Sequence, residues 1–153
     1  MPAKYTVDQI ADTLIQLSRE RNIEITNLKL QKLLFYAQAW YLTLGRTGAP
    51  LFDAEFEAWV HGPVVPSVFR RFKEYRWNAI AAPVKALDDP HLLAYLNEVL
   101  SKYGSLSARQ LEHLTHQEAP WQEARRGVAP DESSSQVITR ESIKRFYSTK
   151  TGR

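Results

Sequence analysis

Apolar residues recur every three or four positions through most of the chain and every second position in one short segment. These are the periods of a helix face and a strand face. The clearest helical stripe is Val7, Ile10, Ala11, Leu14 and Leu17, running to about Arg21. Thr6 and Gln9 open it as a capping box, in which each side chain satisfies a backbone N–H of the first turn. Thr26 caps a second helix, "NLKLQKLLFYAQAWYLTLG", and Gly45 suits a left-handed stop. Leu30, Leu33, Leu34, Ala37, Tyr41 and Leu44 form its core face, and Lys29, Lys32, Tyr36 and Trp40 fall on an adjacent face. Phe35 and Leu42 add apolar surface outside both, so this helix is expected at the centre of the domain.

A turn-rich loop, "GRTGAPLF", leads into the alternating segment "EFEAWV". Phe56, Ala58 and Val60 fall on one side, and Glu55, Glu57 and Trp59 on the other, as in a short half-buried strand. His61-Gly62-Pro63 then interrupts an apolar run before a helix expected from about Pro66 to Tyr75. Glycine permits dihedrals closed to other residues, and proline fixes φ. The break reads as a stiff strand-to-helix corner, with His61 hydrogen-bonding to hold it.

Asp89 with Pro90 opens the next helix, which buries Leu92, Leu93, Leu96, Val99, Leu100 and Tyr103 and closes at Gly104. Ser107 and Gln110 form a second capping box for a helix ending near His116. "DESSS" is loop, and Thr139 caps a last helix carrying Ile143 and Phe146. The expected fold is mainly α: one compact helical domain with a short strand or small hairpin near residues 54–60. Residues 148–153 are expected to be a frayed basic tail. No internal repeat or linker interrupts the chain.

Composition narrows the possibilities. The chain has 153 residues, of which 44% are hydrophobic and 24% charged, an ordinary globular mix. It has no cysteine, which excludes thiol redox chemistry, disulfides and thiolate metal sites. The N-terminus lacks a secretory pattern, and no apolar run is long enough to span a membrane. A cytoplasmic protein is expected. The net charge of +3 is local, because residues 140–153 carry +4. A solvated tail is the plain explanation, and contact with nucleic acid or an acidic partner the other.

No nucleophile elbow, phosphate-binding loop or dinucleotide fingerprint occurs, so no enzyme and no cofactor are expected. His113 and His116 could share a helix face, but a third ligand at usable spacing is missing, and no metal is expected. Arg70, Arg71, Lys73 and Arg76 interleave with Phe69, Phe72, Tyr75 and Trp77. That pattern suits either nucleic acid or, more simply, a helix with one buried and one wet side. Trp40, Trp59, Trp77 and Trp121 cannot all be assumed core, and aromatics beside arginine favour a protein interface.

Three segments together resemble the Panacea domain, the SocA-like antitoxin family that includes phage-associated GepA-like proteins, and the resemblance implies one such domain over residues 5–147. "LKLQKLLFYAQAWYL" resembles the family's opening helix. "FEAWVHGPVVPSVFRRFK" is similar to its Ala-Trp-x-x-Gly-Pro-Val signature, here with Gly62 and Pro63. "LTHQEAPWQEAR" is similar to its Thr-His…Pro-Trp signature, here Thr115, His116, Pro120 and Trp121. The family commonly has Tyr at the position of Phe35 and often an aromatic at that of His61.

The resemblance implies an antitoxin that neutralises a toxin encoded beside it by direct protein–protein binding. It also implies two alternatives, an adaptor that delivers the toxin to the ClpXP protease and a nucleic-acid-binding regulator. The chain has no evident room for the DNA-binding segment of many relatives, so nucleic acid is not the expected partner. If the role is toxin binding, Lys29, Lys32, Tyr36 and Trp40 share one helix face and are the first candidate contact row. The plain alternative is that Tyr36 and Trp40 are buried and the lysines solvated. Trp59 and His61 at the corner, and Arg70, are the next candidates.

Overall fold

The computed structural model describes residues 2–45 and 47–151. Its helices start where the caps predict. Thr6 and Gln9 form the capping box of α1 (Val7–Glu20), and Thr26 accepts from the Lys29 N–H at the head of α2 (Asn27–Leu44). Asp89 caps α4 (Pro90–Tyr103), Ser107 and Gln110 box α5 (Ala108–His116), and Thr139 caps α7 (Arg140–Lys150). Between α2 and α4 lie α3 (Pro66–Arg71) and a single 3-10 turn, Lys73–Tyr75. Between α5 and α7 lies α6 (Ala119–Ala124).

Helix α2 is the axis of the domain. It packs against α1, α3, α4, α5 and α7 and against one strand of a small sheet. Every residue from Lys29 to Ala39 is buried, so the helix has no wet face over three turns. Leu30, Leu33 and Leu34 are inaccessible, and truncating any one to alanine would cost about 2–5 kcal/mol. Leu44, expected in the core, is 49% exposed, because it lies past Leu42, where the buried stretch ends. Gly45 is extended (φ −69°, ψ 140°), not left-handed, and its N–H continues the helix ladder to the Tyr41 carbonyl.

The expected strand is present, but the break after it is not a corner between strand and helix. β1 (Phe56–Trp59) and β2 (Gly62–Val64) form an antiparallel hairpin, pairing Trp59 with Gly62 and Ala58 with Pro63. Val60 and His61 make its two-residue loop, and Gly62 takes φ 108°. A third strand, β3 (Val137–Ile138), pairs with β1 on its other side, giving the order β2-β1-β3. Proline in a strand is tolerated only where its missing N–H is not needed. Here the Ala58 N–H donates to Gln136 on the β3 side at 2.8 Å. The Ala58–Pro63 pair is therefore the one whose backbone groups point away from each other. Pro63 loses no ladder bond, and its carbonyl faces outward.

Other boundaries shift as well. The helix expected from Pro66 to Tyr75 ends at Arg71 and tightens into the 3-10 turn. Helix α6 lies in a stretch that periodicity left without structure, since six residues are too few to show a stripe. At the C-terminus, Ser148–Lys150 continue α7 and are not frayed; Gly152 and Arg153 lie outside the described residues.

Gly62 sits where the fold leaves little room for a side chain. A Cβ there would lie 2.6 Å from Lys32 Cε and 2.9 Å from Thr115 Oγ1, at a φ that side chains avoid. Gly62→Ala should destabilise by about 2–4 kcal/mol in urea unfolding. An unchanged midpoint would show that the hairpin is not held this tightly.

Candidate functional site

The polar row on α2 points inward. Each of its groups meets a specific buried partner. Lys29 Nζ donates to the Gly104 carbonyl at 2.7 Å, and Lys32 Nζ donates to the Pro63 carbonyl at 3.1 Å. The Tyr36 hydroxyl donates to Glu118 Oε1 at 2.8 Å, and Trp40 Nε1 donates to the Tyr103 hydroxyl at 2.7 Å. Lys29, Lys32 and Tyr36 are 8%, 0% and 0% exposed; Trp40 is half-buried. The expectation of an exposed contact row is corrected here, and so is its alternative of solvated lysines. From Lys29 to Tyr36 this face is covered by β2, the end of α4 and Glu118 before α6, and Trp40 alone of the four keeps part of its surface exposed.

Burial carries an electrostatic cost. It lowers the Lys32 amine to about 7, with the Glu112 carboxylate pulling the other way. It lowers Lys29 as well. Glu118 is raised by burial, opposed by hydrogen bonds from Tyr147 and Tyr36, both to the same carboxylate oxygen. Periodicity could not flag Glu118, Gln31 or Arg125. Gln31 accepts from the Val65 N–H at 2.9 Å and donates to Asn27 at 3.0 Å. Arg125 donates to the Ala58 carbonyl at 2.9 Å and also reaches the carbonyls of Ala129 and Glu132.

These bonds gather the three sequence motifs around the hairpin. Lys32 and Gln31 of α2 hold β2 and the residue after it. Thr115 stands beside Gly62 and donates to the Glu112 carbonyl at 2.8 Å. Trp121 Nε1 donates to the Trp59 carbonyl at 2.8 Å. His116 stacks on Trp121 with ring centroids 4.0 Å apart, and the Arg125 guanidinium lies 5.0 Å from the same ring. Pro120 is buried in the first turn of α6. Burial lowers the His116 imidazole, whose Nε2 has no hydrogen-bond partner among the described residues.

The remaining candidates are nearer the surface. His61 is exposed at the hairpin tip, with Nδ1 2.8 Å from Glu112 Oε1. The histidine thus ties the hairpin to α5. Trp59 is half-buried, bonded through Nε1 to Glu57 at 2.9 Å and edge-on to Phe69 at 5.1 Å. Together with Glu57, Val60 and the Ser133–Ser135 loop, Trp59 and His61 line a groove of about 600 Å³. Arg70 is exposed and forms no ion pair among the described residues. His113 bonds Gln117 at 3.0 Å, on the same helix as His116. Among the described residues no group of three His, Asp or Glu side chains is placed to hold a metal ion, and no helix is long and apolar enough to cross a membrane.

Residues 30–122 match the family model described as "Antitoxin SocA-like, Panacea domain". The chain belongs to this family. The matched stretch contains the whole of the second motif and most of the first and third. The chain is also 31% identical to Antitoxin SocA of Caulobacter vibrioides over 134 residues, covering 78% of this chain and 70% of that protein. No solved structure matches the chain significantly.

The buried Lys32 makes stability depend on pH in a defined direction. Its amine titrates near 7 when folded and near 10.5 when unfolded. Between those values the unfolded chain binds more protons, so stability rises with pH. From pH 7 to 9 the rise should be about 2 kcal/mol larger in the wild type than in Lys32→Met, measured by urea unfolding. Equal pH dependence in the two proteins would mean that Lys32 stays charged in the fold.

Proposed function

We propose that this chain neutralises a toxin encoded by a neighbouring gene by binding it directly, using the surface around the hairpin tip. Membership of an antitoxin family carries this reading. The choice of surface is supported by the burial of the α2 row. Of the residues that sequence pattern selected, His61 and Arg70 are exposed and Trp59 is half-exposed beside an open groove. Trp59 and the Phe69 edge supply apolar contact area, Arg70 supplies a free cation, and His61 supplies a ring nitrogen at the rim. Aromatic and arginine side chains at such positions carry a large share of protein–protein binding energy.

Lys29, Lys32 and Tyr36 act from beneath in this reading. Lys32 holds the Pro63 carbonyl beneath the tip, Lys29 and Tyr36 hold Gly104 and Glu118, and none of the three touches the toxin. Neutralisation needs no chemical step, only occupancy of a surface the toxin uses. Delivery to the ClpXP protease remains the alternative that the resemblance brought, and it differs in one observable: its rescue requires the protease.

The test is co-expression with the adjacent gene. The wild-type chain should restore growth in a strain lacking ClpXP. His61→Ala and Arg70→Glu should weaken toxin binding at least ~10-fold, with melting temperatures within about 2 °C of wild type. Rescue that disappears without the protease would replace direct neutralisation with the adaptor role. Failure of the wild-type chain to rescue would remove the antitoxin role altogether.

A further inference from the structure

Trp77 stands apart from the hairpin and is 76% exposed, more than any other large apolar side chain among the described residues. Tryptophan is on average highly buried. The residue before it is equally unusual: Arg76 has φ 53° and ψ −119°. The Asn78 N–H donates to the Tyr75 carbonyl at 2.9 Å. Together these are the dihedrals and closing bond of a type II′ turn with Arg76 at its first central position. That position normally belongs to glycine, because a Cβ is crowded there. The chain accepts backbone strain at the residue that sets the direction of an exposed indole.

The turn is anchored on both flanks. Arg71 pairs with Asp8 at 3.0 Å and Asp12 at 2.5 Å on α1. Beyond the turn, Ala79 bridges to Thr26, and the Ile80 N–H donates to the Ile25 carbonyl at 2.8 Å. Arg70, Lys73 and Arg76 are exposed and form no ion pair among the described residues, Asp8 and Asp12 are taken up by Arg71, and Glu74 is the one acidic residue between positions 70 and 76. The result is a rigid, positively charged turn tipped by one large apolar ring.

We propose that the Arg76–Trp77 turn is a second contact point for the toxin, with Trp77 entering an apolar socket whose rim is acidic. The proposal rests on the antitoxin reading above. Charge complementarity sets the chemistry of the partner: the free cations require carboxylates around the socket. A protein fits better than a nucleic acid. A single exposed ring stacks one base, and Lys73 and Arg76 with Arg70 neutralise few phosphates. A rigid display of the indole reduces the entropy lost on binding, which gives the strain a purpose.

The experiment is calorimetry and stopped-flow binding of the purified full chain to the protein encoded by the neighbouring gene. Trp77→Ala should weaken binding ~30-fold or more with its melt unchanged. Lys73→Glu should slow association several-fold, roughly, at low ionic strength, and the difference should shrink at high salt. Arg76→Gly should raise the melting temperature by about 2–6 °C and still bind more weakly, because the strain is relieved and the display loosened. If the wild type does not bind, the antitoxin reading falls and this proposal with it. If the wild type binds and Trp77→Ala binds equally well, this proposal alone is overturned. A 20-nucleotide single-stranded DNA held more tightly than the toxin, in a Trp77-dependent way, would also overturn it and assign the turn to nucleic acid.

Discussion

A lysine amine without solvent must be given an acceptor, and the fold around the hairpin depends on how Lys32 is given one. Its ammonium reaches the Pro63 carbonyl at 3.1 Å with no surface exposed. That carbonyl is free because it points away from β1, and Pro63 loses nothing there because proline has no N–H to satisfy. The stem of Lys32 passes so close to Gly62 that any side chain at that position would overlap it. Thr115 closes the other side of the same glycine. An unpaired buried amine costs several kcal/mol, roughly, so these residues stand or fall together. The hairpin could not open without stranding the lysine.

A second set of bonds completes the frame from outside. Trp121 and Arg125, one turn apart on and after α6, donate to the consecutive carbonyls of Trp59 and Ala58. Gln31 holds the backbone just after β2. A short hairpin alone is marginal in water. Here its backbone is fastened on one strand to α2 and on the other to Trp121 and Arg125, on and after α6, and His61 ties its loop to α5. Recognition residues on a rigid scaffold lose little entropy when a partner arrives. The three motifs that mark the family thus do mainly architectural work. The second motif also leaves His61 at the hairpin tip and Arg70 on α3 exposed, as are Arg76 and Trp77 in the turn after it.

The buried carboxylate of Glu118 repeats the pattern at the other end of α2. Two tyrosine hydroxyls, Tyr36 and Tyr147, converge on one of its oxygens at 2.8 and 2.7 Å. Tyr36 also stacks on Tyr103 with centroids 4.1 Å apart. The central helix therefore carries cations toward the hairpin and the end of α4, and a phenol toward α6 and α7. Its apolar residues supply the burial, and its polar ones decide which neighbours sit where.

Local signals determined the helices and their first turns. Thr6, Thr26, Asp89, Ser107 and Thr139 each cap within three residues of themselves, so the sequence alone sufficed to place them. The apolar breadth of α2 likewise announced a central helix, and the three motifs announced the family. The fate of the polar residues was not legible. Lys32 finds its acceptor 31 positions away, Lys29 at 75 and Tyr36 at 82. A row of lysines and aromatics on one helix face looks the same whether water or a carbonyl awaits it. Strand β3, two residues long, and helix α6, six residues long, are too short for a period to register. The break at Gly62-Pro63 was visible as a break, but its form as a hairpin depended on Lys32 and Thr115 closing around it. Tertiary structure decided which polar groups were spent inside the fold, because the burial of a side chain is set by what packs over it and not by its neighbours along the chain.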